Sequence, residues 1–223
     1  MAITTLNLRG INRSDTATSG QVITATSAVA ADFQDAAGGA WNKIVTRTLA
    51  GNATESFIDG TSSVVLDSTY KIYVFQFTNI HPSADGAILE FQVSVDGGSS
   101  WGVTLTSTYF RTWQNEGGST TALQYVTAGD VANATTFTRI SQEMGTDTNQ
   151  TWCGDLWLYH PSDAATYETQ WLARGQCGHE GNYAMMNYCG GYFASGTAID
   201  GVQFKPVSGN LDLGFITLYG ITT

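Results

Sequence analysis

The chain has 223 residues, with 9 Lys+Arg against 19 Asp+Glu, a formal net charge of −10 and only 13% charged residues, about half the usual share for a globular protein. The basic residues are scattered at 9, 13, 43, 47, 71, 111, 139, 174 and 205, so no stripe can neutralise a phosphate backbone and nucleic-acid binding is disfavoured. The length allows a sizeable core in one domain, no run nears the roughly 18 consecutive apolar residues of a membrane span, and the start, MAITTLNLRG, lacks the charged and apolar regions of a secretory signal.

Residues 1–31 are poor in large side chains and rich in Thr, Ser and Ala, and read as an extended attachment arm that orders against a partner or against the rest of the chain. Residues 32–223 read as the folded domain. Its first part offers three short strands, 41–49, 56–58 and 63–66, separated by GNAT and DGT turns. Residues 70–77 carry aromatic and β-branched side chains on both faces and predict a central strand. In residues 87–95, Leu89, Phe91, Val93 and Val95 alternate with Glu90, Gln92 and Ser94. That period of two gives one apolar face and one polar face. The two runs are expected to pair as an antiparallel hairpin, with Asn79-Ile80-His81-Pro82 as the turn and Asp96-Gly97-Gly98 closing the unit.

A strand over 101–109 follows, then an exposed turn in RTWQNEGGST (111–120) and a short strand over 122–127. Further strands are predicted at 137–143, 152–159, 166–172 and 182–188, with RGQCGHEG (174–181) as a glycine-rich turn. Residues 199–204 and 213–219 form the last two strands around a turn at 206–210. About ten to twelve short strands with turn signals between them predict an all-β, antiparallel β-sandwich or a barrel. No helical run of crossover length exists, which excludes a parallel α/β fold.

The sequence offers little chemistry. His81 and His160 each precede a proline and His179 lies among glycines, and no HxH, HExxH or HxxxH spacing marks a zinc site. Cys177 and His179 lack an orienting third group, and no GxSxG elbow is present. With three cysteines (153, 177 and 189) and no CxxC, buried thiols are the better reading, although a Cys177–Cys189 bridge stays open. Paired carboxylates drawn from Glu90, Asp96, Glu116, Glu143 and Glu168 would suit a glycan depolymerase. Asp96-Gly97-Gly98 and Asp147-Thr148-Asn149 place oxygen ligands in loops, but turn formation explains them without calcium. No cofactor or catalytic residue is assigned. The aromatic stock suits stacking on sugars, and Trp113 and Tyr192 sit in the most loop-like contexts, so they are the candidate glycan-contact residues.

SGNLDLGFITLYGITT (208–223) resembles the C-terminal signature of a group of tailed-phage fibre proteins, in which an SGN turn precedes a terminal strand of the form G-x-I-x-L-Y-G-I. TNIHPSADGAILEFQVSVDGGSSW (78–101), LWLYHP (156–161) and residues 199–204 are similar to further segments of that group. The resemblance covers residues 60–223 and implies a jelly-roll-like domain, mounted on a virion, usually as a homotrimer. It implies a structural or host-recognising role without catalytic residues. It also implies a fibre, capsid fibre or other appendage that is made in the host cytoplasm and contacts other virion proteins through the arm. A carbohydrate-binding module and a glycan depolymerase stand as the alternatives.

Overall fold

A computed structural model of the chain describes residues 21–25, 31–35, 39–163 and 167–223. Most of the expected arm lies outside these residues. Two units are distinguished, Met1–Ala40 and Trp41–Thr223. In the first, β1 (Gln21–Ala25) pairs antiparallel with β2 (Ala31–Asp35).

The second unit is all-β, with two antiparallel sheets packed as a sandwich. The small sheet has the order β10-β6-β14-β4, from Thr138–Arg139, Leu89–Ser94, Gly201–Pro206 and Glu55–Ile58. The large sheet has the order β3-β15-β5-β11-β12-β13-β7-β8, and β9 (Val131–Ala134) also pairs with β7. Its strands are β3 (Trp41–Thr48), β15 (Leu211–Ile221), β5 (Ile72–Pro82), β11 (Trp152–Tyr159), β12 (Thr169–His179), β13 (Tyr183–Phe193), β7 (Leu105–Asn115) and β8 (Thr121–Tyr125).

Aromatic rings join the two sheets. Phe204 of β14 lies 5.1 Å from Phe75 and 5.0 Å from Phe77 of β5, both edge-on. Phe57 of β4 meets Phe75 at 5.1 Å, and Phe91 of β6 meets Trp171 of β12 at 4.9 Å and Phe193 of β13 at 5.7 Å. Edge-to-face geometry sets the positive rim of one ring against the negative face of the next, which adds about 0.5–1.5 kcal/mol per pair beyond area burial. One polar bridge runs through this core. Asn187 accepts from the Trp152 indole N–H at 3.1 Å and donates to the Ile140 carbonyl at 2.8 Å, so its buried amide is satisfied.

Four expectations are corrected. First, β5 and β6 do not pair. β5 lies between β15 and β11, whereas β6 lies between β14 and β10 in the opposite sheet. Both strands carry large apolar inward faces, and each is buried by the opposite sheet: the β5 rings by Phe57 and Phe204, and Phe91 of β6 by Trp171 and Phe193. Asn79–Pro82 is therefore strand, with Asn79 at φ 51° beside a register shift, and the crossing between sheets follows Pro82. Second, residues 63–66 form no strand, although Val64 and Leu66 are buried. Third, most of RGQCGHEG is strand: β12 runs through to His179, and only Glu180 and Gly181 lie in the turn. Gly175 is small because the Trp152 indole lies over it; a Cβ there would come within 2.4 Å of the ring. Fourth, only Thr138–Arg139 of 137–143 is ladder. The exposed turn expected within 111–120 is present, following Asn115 at the end of β7 and leading into β8.

The alternation in β6 holds for Leu89, Phe91 and Val93, which are fully buried, but Gln92 and Ser94 are buried as well. Loops cover that second face. The Gln92 amide donates to the carbonyls of Val103, Thr135 and Thr136 at 3.1–3.2 Å, which satisfies it.

Candidate functional site

The outer face of the large sheet carries the most distinctive surface. Every second residue of β11, β12, β13 and β7 points away from the core, and antiparallel register lines these residues into rows. One row runs Tyr219, Val74, Trp157, Leu172, Gly190, Thr108. The row on one side runs Tyr159, Gln170, Tyr192. On the other side lie Asp155, Arg174, Tyr188 and Phe110. A groove of about 970 Å³ opens among these residues, at the upper end of the range for ligand pockets.

Gly190 opens the floor. A Cβ there would come within 2.7 Å of Leu172 Cδ2 and 3.1 Å of the Trp171 carbonyl. Tyr188 and Tyr192 flank it on the same strand face, roughly 13 Å apart along the backbone at the usual rise. Phe110 and Tyr188 stack in parallel, with centroids 5.1 Å apart and 11° between their planes. On the opposite side Trp41 meets Trp157 and Tyr219 edge-on, each at 5.5 Å. Leu172 and Phe110 are 55% and 40% exposed, far more than a closed core would leave them.

The groove has one polar centre. The Trp157 indole N–H donates to Asp155 Oδ1 at 2.8 Å, and Arg174 Nε donates to Asp155 Oδ2 at 3.2 Å. This holds both the indole plane and the guanidinium in fixed orientations. Asp155 is the one Asp or Glu among the lining residues. Burial, with Asp155 next in effect, raises the Tyr159 hydroxyl above its ordinary value, so it stays a neutral hydrogen-bonding group.

Of the two aromatics singled out from sequence, Tyr192 lines this groove from strand β13. Trp113 does not. It lies in strand β7, half-buried against the core, with the Arg111 guanidinium 5.2 Å from its ring centroid. Both had read as loop residues because glycines follow or precede them. Trp157, Tyr159, Tyr188 and Phe110 were not singled out. The available signal was the i, i+2 spacing of Trp157 and Tyr159 and the i, i+4 spacing of Tyr188 and Tyr192 around Gly190.

The other chemical candidates are dispersed. Cys177 and Cys189 are buried on the inner face, where burial pushes the Cys177 thiol up to about 12 and raises that of Cys189 as well. A thiol held protonated is a poor nucleophile. Cys177 is opposite Met185 and Cys189 opposite Ala173, which separates them by about four residues of strand, beyond disulfide reach. Asp96 closes its own turn, accepting from Ser94 Oγ at 2.7 Å and Ser100 Oγ at 2.6 Å. These bonds, those of Ser100 first, hold its carboxyl down near 2. Glu143 lies 3.6 Å from His179 Nε2 and 3.5 Å from Arg111 Nη1, and its carboxyl is depressed to about 2 by His179 first, then by its own backbone N–H and by Arg111, against burial. Among the described residues no three His, Cys, Asp or Glu side chains converge as a metal cluster.

No family model, curated protein or solved structure matches the chain.

Proposed function

We propose that this chain is a non-enzymatic phage virion component, a fibre or appendage domain, whose large sheet recognises glycans at a host surface. The observation that carries the recognition role is the aromatic groove around Gly190, where Trp157, Tyr159, Tyr188, Tyr192 and Phe110 surround a fixed Asp155–Arg174 pair. Flat rings offer stacking area to the apolar faces of sugars at small entropic cost, and the ion pair offers both an acceptor and donors to hydroxyls. Glycoside hydrolysis requires two carboxylates, and among the described residues the groove carries one, Asp155, which favours binding over cleavage.

The virion role rests on the resemblance of the SGN turn and the final strand, residues 208–223, to phage fibre proteins. In this reading the sandwich is jelly-roll-like. The pairing of β5 with β15 and of β6 with β14 joins strands far apart in sequence, as Greek-key connections do. Residues 1–31 then attach the domain to the particle, and three copies assemble.

Affinity electrophoresis of the purified chain through gels containing bacterial surface polysaccharides tests recognition. At least one polysaccharide should retard the protein, and Trp157→Ala should weaken retardation tenfold or more. Unaltered mobility throughout a broad panel removes the glycan role. Release of new reducing ends by the wild-type protein moves it to the depolymerases. Antibody labelling of assembled virions tests the particle assignment separately.

A further inference from the structure

The charge balance of the groove selects among sugars. Asp155 and Arg174 cancel each other, and among the described residues no other Asp, Glu, Lys or Arg lines the groove. The chain as a whole carries −10. An anionic sugar reaching for Arg174 meets Asp155 3.2 Å from the guanidinium, in a protein field that repels it. A neutral sugar meets no such opposition. Two of the roughly four acceptor sites of the Asp155 carboxylate are taken by Trp157 and Arg174, which leaves the others for hydroxyl donors. Arg174 uses only its Nε on Asp155 and its side chain is 61% exposed, so its terminal nitrogens face outward as donors to hydroxyl or ring oxygens.

We propose that the groove binds a neutral pyranose, with adjacent hydroxyls clamped between Asp155 and Arg174 and the ring laid over the Gly190 floor against the flanking aromatics. This rests on the glycan-recognition reading above and adds to it the class of sugar and the residue that sets it. Asp155 acts as a specificity residue. It accepts from the sugar, and it occupies the one groove cation that a carboxylated sugar would otherwise take. Trp157 is positioned by the same carboxylate, so the stacking plane and the polar clamp form one unit.

The test uses matched hexasaccharides of the gluco, manno and galacto series, each as the neutral sugar and as the C6-oxidised uronate, titrated into the full chain by calorimetry at low and at physiological salt. The wild type should bind at least one neutral series tenfold or more tighter than its uronate. In Asp155→Asn the side chain keeps an oxygen for the Trp157 indole but releases Arg174. That variant should gain uronate affinity several-fold, in a salt-sensitive way, while losing affinity for the neutral sugar. A wild type that prefers uronates, or an Asp155→Asn variant with an unchanged ratio, overturns the neutral-sugar inference and leaves glycan recognition standing. Binding of neither series, or a dimer that Gly190→Leu dissociates in sedimentation while no sugar binds, overturns both and in the second case assigns the groove to a second copy of the chain.

Discussion

Tyr192 and Phe193 are neighbours on one strand and belong to two different surfaces. Phe193 is fully buried and meets Phe91 at 5.7 Å across the sandwich, whereas Tyr192 lines an open groove. Trp171 and Leu172, and Tyr109 and Phe110, divide in the same way. The inner face of the large sheet is aromatic because the small sheet supplies rings that fill it. The outer face is aromatic although nothing among the described residues closes it. The second set of rings lines an open groove instead of filling a core, and it is this surface that the proposed recognition role rests on.

The sharpest way to break this contrast is to remove one ring from each face. Phe204→Ala takes away a ring that touches Phe57, Phe75, Phe77 and Phe91, and should cost about 3–5 kcal/mol in urea unfolding. Trp157→Ala should cost no more than about 1 kcal/mol in the same measurement, since its partner Trp41 is itself 49% exposed. Comparable losses from both substitutions would mean that the outer rings are core after all.

A smaller effect comes from the margin of the inner face, where charges begin. Glu143 has its carboxyl lowered from 4.5 to about 2 on folding, so its contribution is fully present above pH 4.5 and is lost as pH falls toward 2. With its side chain 28% exposed, solvent screening reduces that contribution to about 1–2 kcal/mol. The stability–pH curve of Glu143→Gln should therefore lie below the wild type at neutral pH and converge with it near pH 2. Parallel curves would remove the pair from the account.

The smallest effect reads the two faces directly and disturbs neither. Cys153 is exposed, whereas Cys177 and Cys189 are buried. A thiol reagent should label Cys153 within minutes in the native protein, and the other two only in denaturant. Rapid labelling of all three would show that the inner face opens readily.

Much of this was legible in the sequence, and the errors share a cause. Alternation placed Leu89, Phe91 and Val93 correctly on one inner face, because a period of two depends only on the local backbone. The partner of that strand was not legible. Pairing depends on which faces must meet across a core: Phe75 of the large sheet is buried against Phe57 and Phe204 of the small one, and Phe91 of the small sheet against Trp171 and Phe193 of the large one. Glycine misled in a similar way. Gly175 and Gly190 read as loop signals, yet they lie mid-strand, one beneath the Trp152 indole and one at the groove floor. Glycine in a strand marks a close approach as readily as a turn, and only the partner across the sheet reveals which. The groove was legible in part, through Tyr192. Its polar centre was not, because Asp155 and Arg174 meet only once β11 and β12 are in register.

The position of β15 between β3 and β5 also has a consequence for synthesis. Among the described strands β3 pairs only with β15, and the hydroxyls of Thr46 and Thr217 meet at 3.0 Å across a sequence separation of 171 residues. At the usual pace of about 5–20 residues per second on the ribosome, β3 waits roughly 10–30 seconds for its neighbour. During that interval β5 presents an open edge and an aromatic face to solvent. The large sheet therefore closes only after residues 211–221 emerge, and the nascent chain depends in the meantime on whatever shields unpaired strand edges.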